Sequence, residues 1–246
     1  MQPELEEFLS TLFPDQLGGL TGKKLFLRNR LPAGAKVFAC YVYVSRGHSL
    51  RGVEGLLKEL GIETSHVSIW KWLQQLSSRL WQKAFCRRRR RFLVVDETKI
   101  RTQKGWIYVF AAIDPENREM VNFLVTGERG LLDTLGFLRH CLRFCDDKPT
   151  LITDGGPWYR WPAQRLGLKH EVVCGGVRSY IERWFETLKD RLRAFDCYFP
   201  TQEFASIRNF IAAFCFWYNS CREHMSLDGP PIGGEGGFRR WLSALS

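Results

Sequence analysis

Residues 92–98 read Phe92-Leu93-Val94-Val95-Asp96-Glu97-Thr98, and residues 105–113 read Gly105-Trp106-Ile107-Tyr108-Val109-Phe110-Ala111-Ala112-Ile113. The apolar run Phe92 to Val95 is a short buried strand ending on two acids, and the second stretch is rich in β-branched and aromatic residues. Asp114-Pro115-Glu116-Asn117 supplies a turn and Arg118 to Val125 a third strand, so the three form an antiparallel meander. Downstream the period changes. The pattern predicts a helix from Leu131 to Phe144 and a strand from Thr150 to Thr153, ended by Asp154-Gly155-Gly156-Pro157. A short helix over Tyr159 to Leu166 and a small strand over Glu171 to Val173 come next. Helices over Ser179 to Phe195 and Gln202 to Tyr218 precede a Gly- and Pro-rich tail. Strands followed by strand–helix alternation give an α/β fold, a mixed sheet with helices packed against it.

Upstream, Leu50, Val53, Leu56, Leu57 and Leu60 recur at helical spacing, and Gly61 stops that helix. Ser65 caps a second helix with Ile69, Leu73, Leu76 and Leu80 along one face. Two helices joined by a short turn outline a helix-turn-helix, which would set Ser65, His66, Ser68 and Lys71 against a major groove. Any helical hairpin shares this outline. Pro32, Gly34 and Gly47 punctuate residues 20–47, which carry no clear pattern. The division is therefore an N-terminal segment 1–44, a helix-turn-helix region 45–86, a basic linker 87–91, an α/β domain 92–233 and a tail 234–246.

The chain has 246 residues, 45% hydrophobic and 25% charged, which excludes a disordered or collagenous protein. Its net charge of +10 is unevenly spread. Residues 1–20 hold four acids and no base, residues 21–91 hold 16 bases and three acids, and residues 92–246 hold 20 bases and 19 acids. The basic block ends in Arg87, Arg88, Arg89, Arg90 and Arg91, a run expected on a surface that meets an anion, with nucleic acid the favoured partner. No secretory signal pattern opens the chain, and the apolar run Phe210 to Tyr218 is far short of the roughly 20 residues a bilayer span needs. The expectation is a cytoplasmic, nucleoid-associated protein without membrane contact. The eight cysteines, widely and irregularly spaced with no CxxC pair, read as buried thiols. His140, Cys141 and Cys145 lie together but lack four ligands at zinc spacing.

Asp96 and Asp154 each stand at the end of a hydrophobic strand, and Glu182 stands in the first turn of a long helix. If the first and fourth strands are neighbours, the aspartates lie side by side and the helix can bring Glu182 over them. Three close carboxylates repel one another unless cations sit among them, and oxygen-only ligands suit Mg²⁺ or Mn²⁺. Two such ions can activate a nucleophile and stabilise a leaving oxygen in phosphoryl displacement. Acids at strand ends also cap turns, and Glu182 alone could be a solvated helix residue.

The combination resembles a DDE transposase of the insertion-sequence type, as in compact bacterial and archaeal elements. It rests on Val94-Val95-Asp96-Glu97-Thr98 with Gly105 to Asp114, on Ile152-Thr153-Asp154-Gly155-Gly156, and on Tyr180-Ile181-Glu182-Arg183-Trp184-Phe185-Glu186-Thr187-Leu188-Lys189. Tyr218-Asn219, Arg222, His224-Met225-Ser226-Leu227 and Gly229-Pro230 resemble the end of the same core, and the likeness spans about residues 45–233. It implies a ribonuclease H-like fold with Asp96, Asp154 and Glu182 as catalytic metal ligands for two Mg²⁺ or Mn²⁺ ions. It further implies a preceding domain that binds DNA ends. The reaction implied is cleavage at element ends and transfer of the 3′-OH to target DNA, by a homodimer or larger assembly on double-stranded terminal repeats and target.

The 28-residue interval from Asp154 to Glu182 is shorter than usual, and Ser179 stands where the family commonly has Asn. Glu186, four residues later on the same face, would make the interval 32. Lys189 and Arg183 are candidate phosphate contacts, Lys189 alternatively a partner of Glu186, with Arg193 on the same face. Glu186, Arg222 and His224 are supporting candidates; Glu97 either orients the site or is solvated; Trp106, Tyr108 and Phe110 are packing residues. The competing readings are a retroviral-type integrase or nuclease, and a non-catalytic DNA-binding protein derived from a transposase.

Overall fold

The computed structural model describes residues 3–18, 20, 25–26, 30–103, 105–192, 198–199, 201 and 203–246. The chain folds as two compact units, Phe85–Arg208 and a second made of Met1–Ala84 with Asn209–Ser246.

In the first unit the opening strand, Phe92–Thr102 (β1), does not stop at the acids. Its alternation continues through buried Thr98, Ile100 and Thr102, and it pairs along its length with Gly105–Ile113 (β2), from Val94↔Ile113 to Thr102↔Gly105. What ends near Asp96 is a different pairing. Phe92, Leu93 and Val94 run parallel to Thr150, Leu151 and Ile152 of the fourth strand, Thr150–Thr153 (β4). Met120–Thr126 (β3) completes the antiparallel meander after the Asp114 turn, in which Asp114 Oδ1 accepts from the Glu116 N–H at 3.0 Å.

The sheet order is β3-β2-β1-β4-β5, with His170–Val172 (β5) parallel to β4 and Tyr198–Phe199 (β6) beside the far end of β1. Leu131–Leu142 (α6) and Arg160–Leu166 (α7) cover one face, closing a core of Leu93, Val95, Phe110, Val121, Phe137, Leu138, Leu151, Tyr159 and Ala163. Ser179–Leu192 (α8) packs on β1 and β2 through Ile181, Trp184, Phe185, Leu188 and Leu192, the i, i+3, i+4, i+7 stripe of an amphipathic helix. This is the expected α/β fold, a mixed sheet flanked by helices. Residues 193–195, where the sequence extends this helix, lie outside the described residues.

The other unit is helical. Pro3–Leu12 (α1), Pro14–Gly18 (α2), Ala33–Arg46 (α3), Leu50–Glu59 (α4) and His66–Ala84 (α5) precede the sheet in sequence. The expected hairpin is α4 and α5, with Gly61 in the left-handed region (φ 74) between them. Residues 20–47 hold α3, buried from Gly34 to Ser45 except at the half-buried Phe38, with Tyr41 among its aromatics. A helix buried on all sides has no amphipathic stripe, so periodicity missed it.

The last long helix, Phe204–Ser220 (α9), is followed by Gly237–Ser243 (α10). This corrects the expected tail: Phe238 packs edge-on to Phe13 and Phe38 at 5.4 and 5.6 Å, and Trp241 is fully buried beside Tyr41 and Phe216. Asn219, buried in the same unit, donates from Nδ2 to the Ala84 carbonyl at 2.8 Å. Among the described residues no helix is long and apolar enough to cross a membrane.

The arginine run is not a uniform basic surface. Arg87 pairs with Asp146, Arg88 with Glu119, Arg89 with Asp147 and Arg91 with Glu116, at 3.0, 3.1, 3.2 and 3.3 Å. Arg90 is only 2% exposed, which corrects its placing among residues that meet an outside anion. Its Nη1 donates to Asp114 Oδ2 at 3.0 Å, and its Nη2 donates to Glu119 Oε1 and the Cys86 carbonyl, each at 2.9 Å. Nε donates to the Phe144 carbonyl at 3.2 Å. The guanidinium is desolvated but fully bonded, and so tolerated inside.

Removing one partner of a buried ion pair strands the others. Arg90→Met is expected to lower unfolding free energy in urea by about 3–5 kcal/mol, by stripping buried Asp114 of its cation and leaving buried Glu119 with Arg88 alone. Arg89→Ala, removing an exposed pair, is expected to leave the urea midpoint within error.

Candidate active site

The β1–β4 register places the first two acids. Phe92↔Thr150, Leu93↔Leu151 and Val94↔Ile152 share one offset, and continuing it two residues sets Asp96 level with Asp154. Neighbouring strands lie about 4.8 Å apart, so the two backbones bring these carboxylates to one edge. Side-chain alternation turns Asp96 away from the Leu93–Val95 core face, toward the face on which α8 packs.

Glu182, in the first turn of α8, has a half-exposed side chain. Between the acids lies Arg178, on the 3₁₀ turn Gly176–Arg178 just before α8. Its Nη2 donates to Asp96 Oδ2 at 2.9 Å and stands 3.8 Å from Glu182 Oε1, while Asp96 Oδ1 accepts from the Glu97 N–H at 2.9 Å. Burial pushes the Asp96 carboxyl above its ordinary value of 3.8, against the opposing pull of the Glu97 N–H and of Arg178. Burial works against the charge on Arg178, but Asp96, Asp154 and Glu182 together raise its pKa above the ordinary value.

Asp154 itself is exposed, and its Oδ1 accepts from the Gly156 N–H at 2.9 Å, the turn-capping bond such a residue makes. The adjoining Gly155 has φ 86, and a Cβ there would stand 2.8 Å from Val172 Cγ1, so only glycine fits the turn. Asp96, Asp154 and Glu182 offer only hard oxygen donors, and the positive charge already among them is what such a set needs for balance. In this respect they fit a divalent cation. Among the described residues, however, no three His, Cys, Asp or Glu side chains are gathered as a metal-holding cluster.

Glu97 is not solvated: its side chain is 5% exposed on the opposite face of β1 from Asp96. Oε2 accepts from Trp158 Nε1 at 3.3 Å and from the Tyr159 hydroxyl, and Oε1 pairs with Arg129 at 3.1 Å. Arg129 also lies over the rings of Trp158 and Tyr108, at 4.3 and 5.3 Å. These bonds tie the loop carrying Asp154 to the strand carrying Asp96. Sequence reasoning missed Arg129, Trp158, Tyr159 and Arg178. The Trp-Tyr pair three residues past Gly155 was the available signal, but its partner lies 61 residues away.

Arg183, Glu186 and Lys189 are exposed on α8, and among the described residues no ion pair joins Glu186 to Lys189. Ser65 caps α5 by accepting from the Ser68 N–H at 3.2 Å, and its hydroxyl is 3.0 Å from that of Ser68. His66 Nδ1 is 3.0 Å from Glu54 Oε2, and Lys71 is exposed. Arg222 and His224 belong to the helical unit, where Arg222 lies over the Trp217 and Tyr218 rings and His224 packs edge-on to Tyr218. Phe110 is buried as expected, but Trp106 is 54% exposed, with Lys99 Nζ 4.9 Å from its ring centre. The described cysteines are free thiols; Arg193 and Cys197 lie outside the described residues.

A carboxyl whose pKa is raised by folding stabilises the protein most below its unfolded pKa, and that contribution is lost as pH rises through the folded value. In metal-free buffer, Asp96→Asn is therefore expected to lose less stability than the parent between about pH 4 and pH 7, read as urea midpoints across that range.

Residues 91–224 match the DDE domain family of the IS240 transposase type. An uncharacterized protein of Methanocaldococcus jannaschii, MJ0017, is 34% identical over 198 residues, covering 80% of this chain and 91% of that protein. The transposase for insertion sequence-like element IS431mec of Staphylococcus aureus is 25% identical over 116 residues, covering 44% of this chain and 49% of the transposase. The chain thus spans about half the length of that relative. The HTLV-2 integrase catalytic core domain, solved in complex with magnesium, aligns at 13% identity and a TM-score of 0.46, covering 58% of this chain and 95% of that one. By the family match over residues 91–224, the chain belongs to the DDE domain family of the IS240 type.

Proposed function

We propose that the protein is a transposase that cleaves DNA at the ends of its element and joins the freed 3′-OH to target DNA. The observation that supports this reading is the parallel pairing of β1 with β4 up to Val94↔Ile152, two residues short of Asp96 and Asp154, with Arg178 standing between Asp96 and Glu182. Asp96, Asp154 and Glu182 would hold Mg²⁺ or Mn²⁺, two ions in the full site, which activate the attacking oxygen and stabilise the leaving one. Gly155 and Gly156 let the DNA backbone approach Asp154 closely. The Glu97 bonds to Trp158, Tyr159 and Arg129 hold the Asp154 loop against β1.

Exposed Arg183 and Lys189 on α8 contact phosphates of the bound strand with Glu186 in a supporting role, while Arg222 and His224 support DNA binding within the helical unit. Ser65, His66, Ser68 and Lys71 at the start of α5 read the duplex, the two serines and His66 having first to exchange their internal bonds for DNA. Arg87, Arg89 and Arg91 contribute by trading carboxylate partners for phosphates, an exchange that weak exposed pairs allow, whereas Arg88 would have to leave the buried Glu119 to do so. Joining two ends in concert calls for a homodimer or larger assembly. A second reading, a DNA-binding protein without chemistry, is favoured by one observation, the guanidinium lodged among the three acids.

Purified protein, labelled DNA carrying the terminal repeats of the element and a target plasmid in Mn²⁺ or Mg²⁺ form the test. Metal-dependent joined product is expected from the parent, with a fall of at least about a hundredfold in Asp154→Ala. Cutting without joining would indicate a nuclease. End binding with equal, metal-independent behaviour of both proteins would establish the binding-only reading.

A further inference from the structure

Both oxygens of Asp96 are already engaged, Oδ1 by the Glu97 N–H and Oδ2 by Arg178. Arg178 is 12% exposed, and its charge is held by all three acids of the site. A divalent cation held by Asp96 needs the same electron density that the guanidinium now occupies, and two cations that close repel. Gly175 and Gly176 precede Arg178 with φ 75 and φ 61, and nothing lies within 4 Å of a Cβ at either. Ile181 and Trp184, by contrast, anchor α8 itself in the core.

We propose that Arg178 is a positioning residue of the three-acid site, a built-in counter-cation that holds Asp96 and Glu182 in place until a divalent ion displaces it, and thereby sets the affinity for that ion. The inference rests on the reading of Asp96, Asp154 and Glu182 as cation ligands. Without Arg178 the acids repel one another, so the metal-free protein is less stable and its appetite for a cation rises. In Arg178→Lys the charge remains, and so does most of the competition.

Mn²⁺ binding to the full chain, followed by calorimetry and electron paramagnetic resonance without DNA, tests this directly. Arg178→Gln is expected to bind Mn²⁺ at least about tenfold more tightly than the parent and to melt at a lower temperature in EDTA. Arg178→Lys should stay near the parent, as should Arg143→Gln, which removes an equal charge from the end of α6. Equal or weaker binding by Arg178→Gln would overturn the proposal while leaving the metal reading intact. No Mn²⁺ binding by any variant would overturn both. Should Arg178→Gln fail to fold, the Arg178 Nε–H resonance of the parent decides: it should shift as Mg²⁺ binds, and an unmoved signal during binding refutes displacement.

Discussion

Three rungs of parallel pairing, Phe92↔Thr150, Leu93↔Leu151 and Val94↔Ile152, constrain where every candidate reactive group can stand. Because a strand alternates its side chains, a slip of one residue would turn Asp96 into the core and expose Val95. The fully buried Leu93, Val95 and Leu151 prevent that slip by packing with Phe137 and Leu138, so the hydrophobic core sets the position of a carboxylate it does not touch. The Glu97 bonds to Trp158 and Tyr159 act on the same join from the far side, fixing the loop beyond β4. Position is thus determined by the sheet, while the charge at the site is balanced separately by Arg178.

Charge is handled throughout by local pairing. The arginine run itself does not become one basic patch, because it meets Asp114, Glu116, Glu119, Asp146 and Asp147, all from later in the chain. Arg90 has become an interior strut that links the chain before β1 to the β2–β3 turn. The three outermost pairs are exposed on both sides and contribute little to stability, which leaves those arginines free in energetic terms to exchange partners. A charge count along the sequence measures composition, whereas DNA responds to the arrangement in space.

Much of this architecture was legible in the sequence where burial is one-sided. The spans of β2 and β4 follow from their apolar content, whereas the neighbouring of β1 and β4 stood in the sequence only as a condition that the folded chain meets. α8 announces itself by its amphipathic stripe. Legibility failed where burial is complete or partners are remote. α3 is buried nearly all round, and the Phe238–Trp241 anchor of α10 hides within a glycine-rich stretch. The length of β1 was missed because its second half is held by β2 and not by its own apolar run. In the candidate site, the acids stood out by position. Arg178, 82 residues from Asp96, resembled any other helix-preceding base, and only the folded chain brings it among them.

The central claim is that Asp96, Asp154 and Glu182 converge on a divalent cation. Diffraction at the manganese absorption edge, from crystals of the full chain grown with Mn²⁺, tests it most directly. The account requires an anomalous peak between the Asp96 and Asp154 carboxylates, with Glu182 turned toward it and the Arg178 guanidinium withdrawn from Asp96. Mn²⁺ bound elsewhere, with Arg178 still on Asp96 at saturating metal, would contradict it.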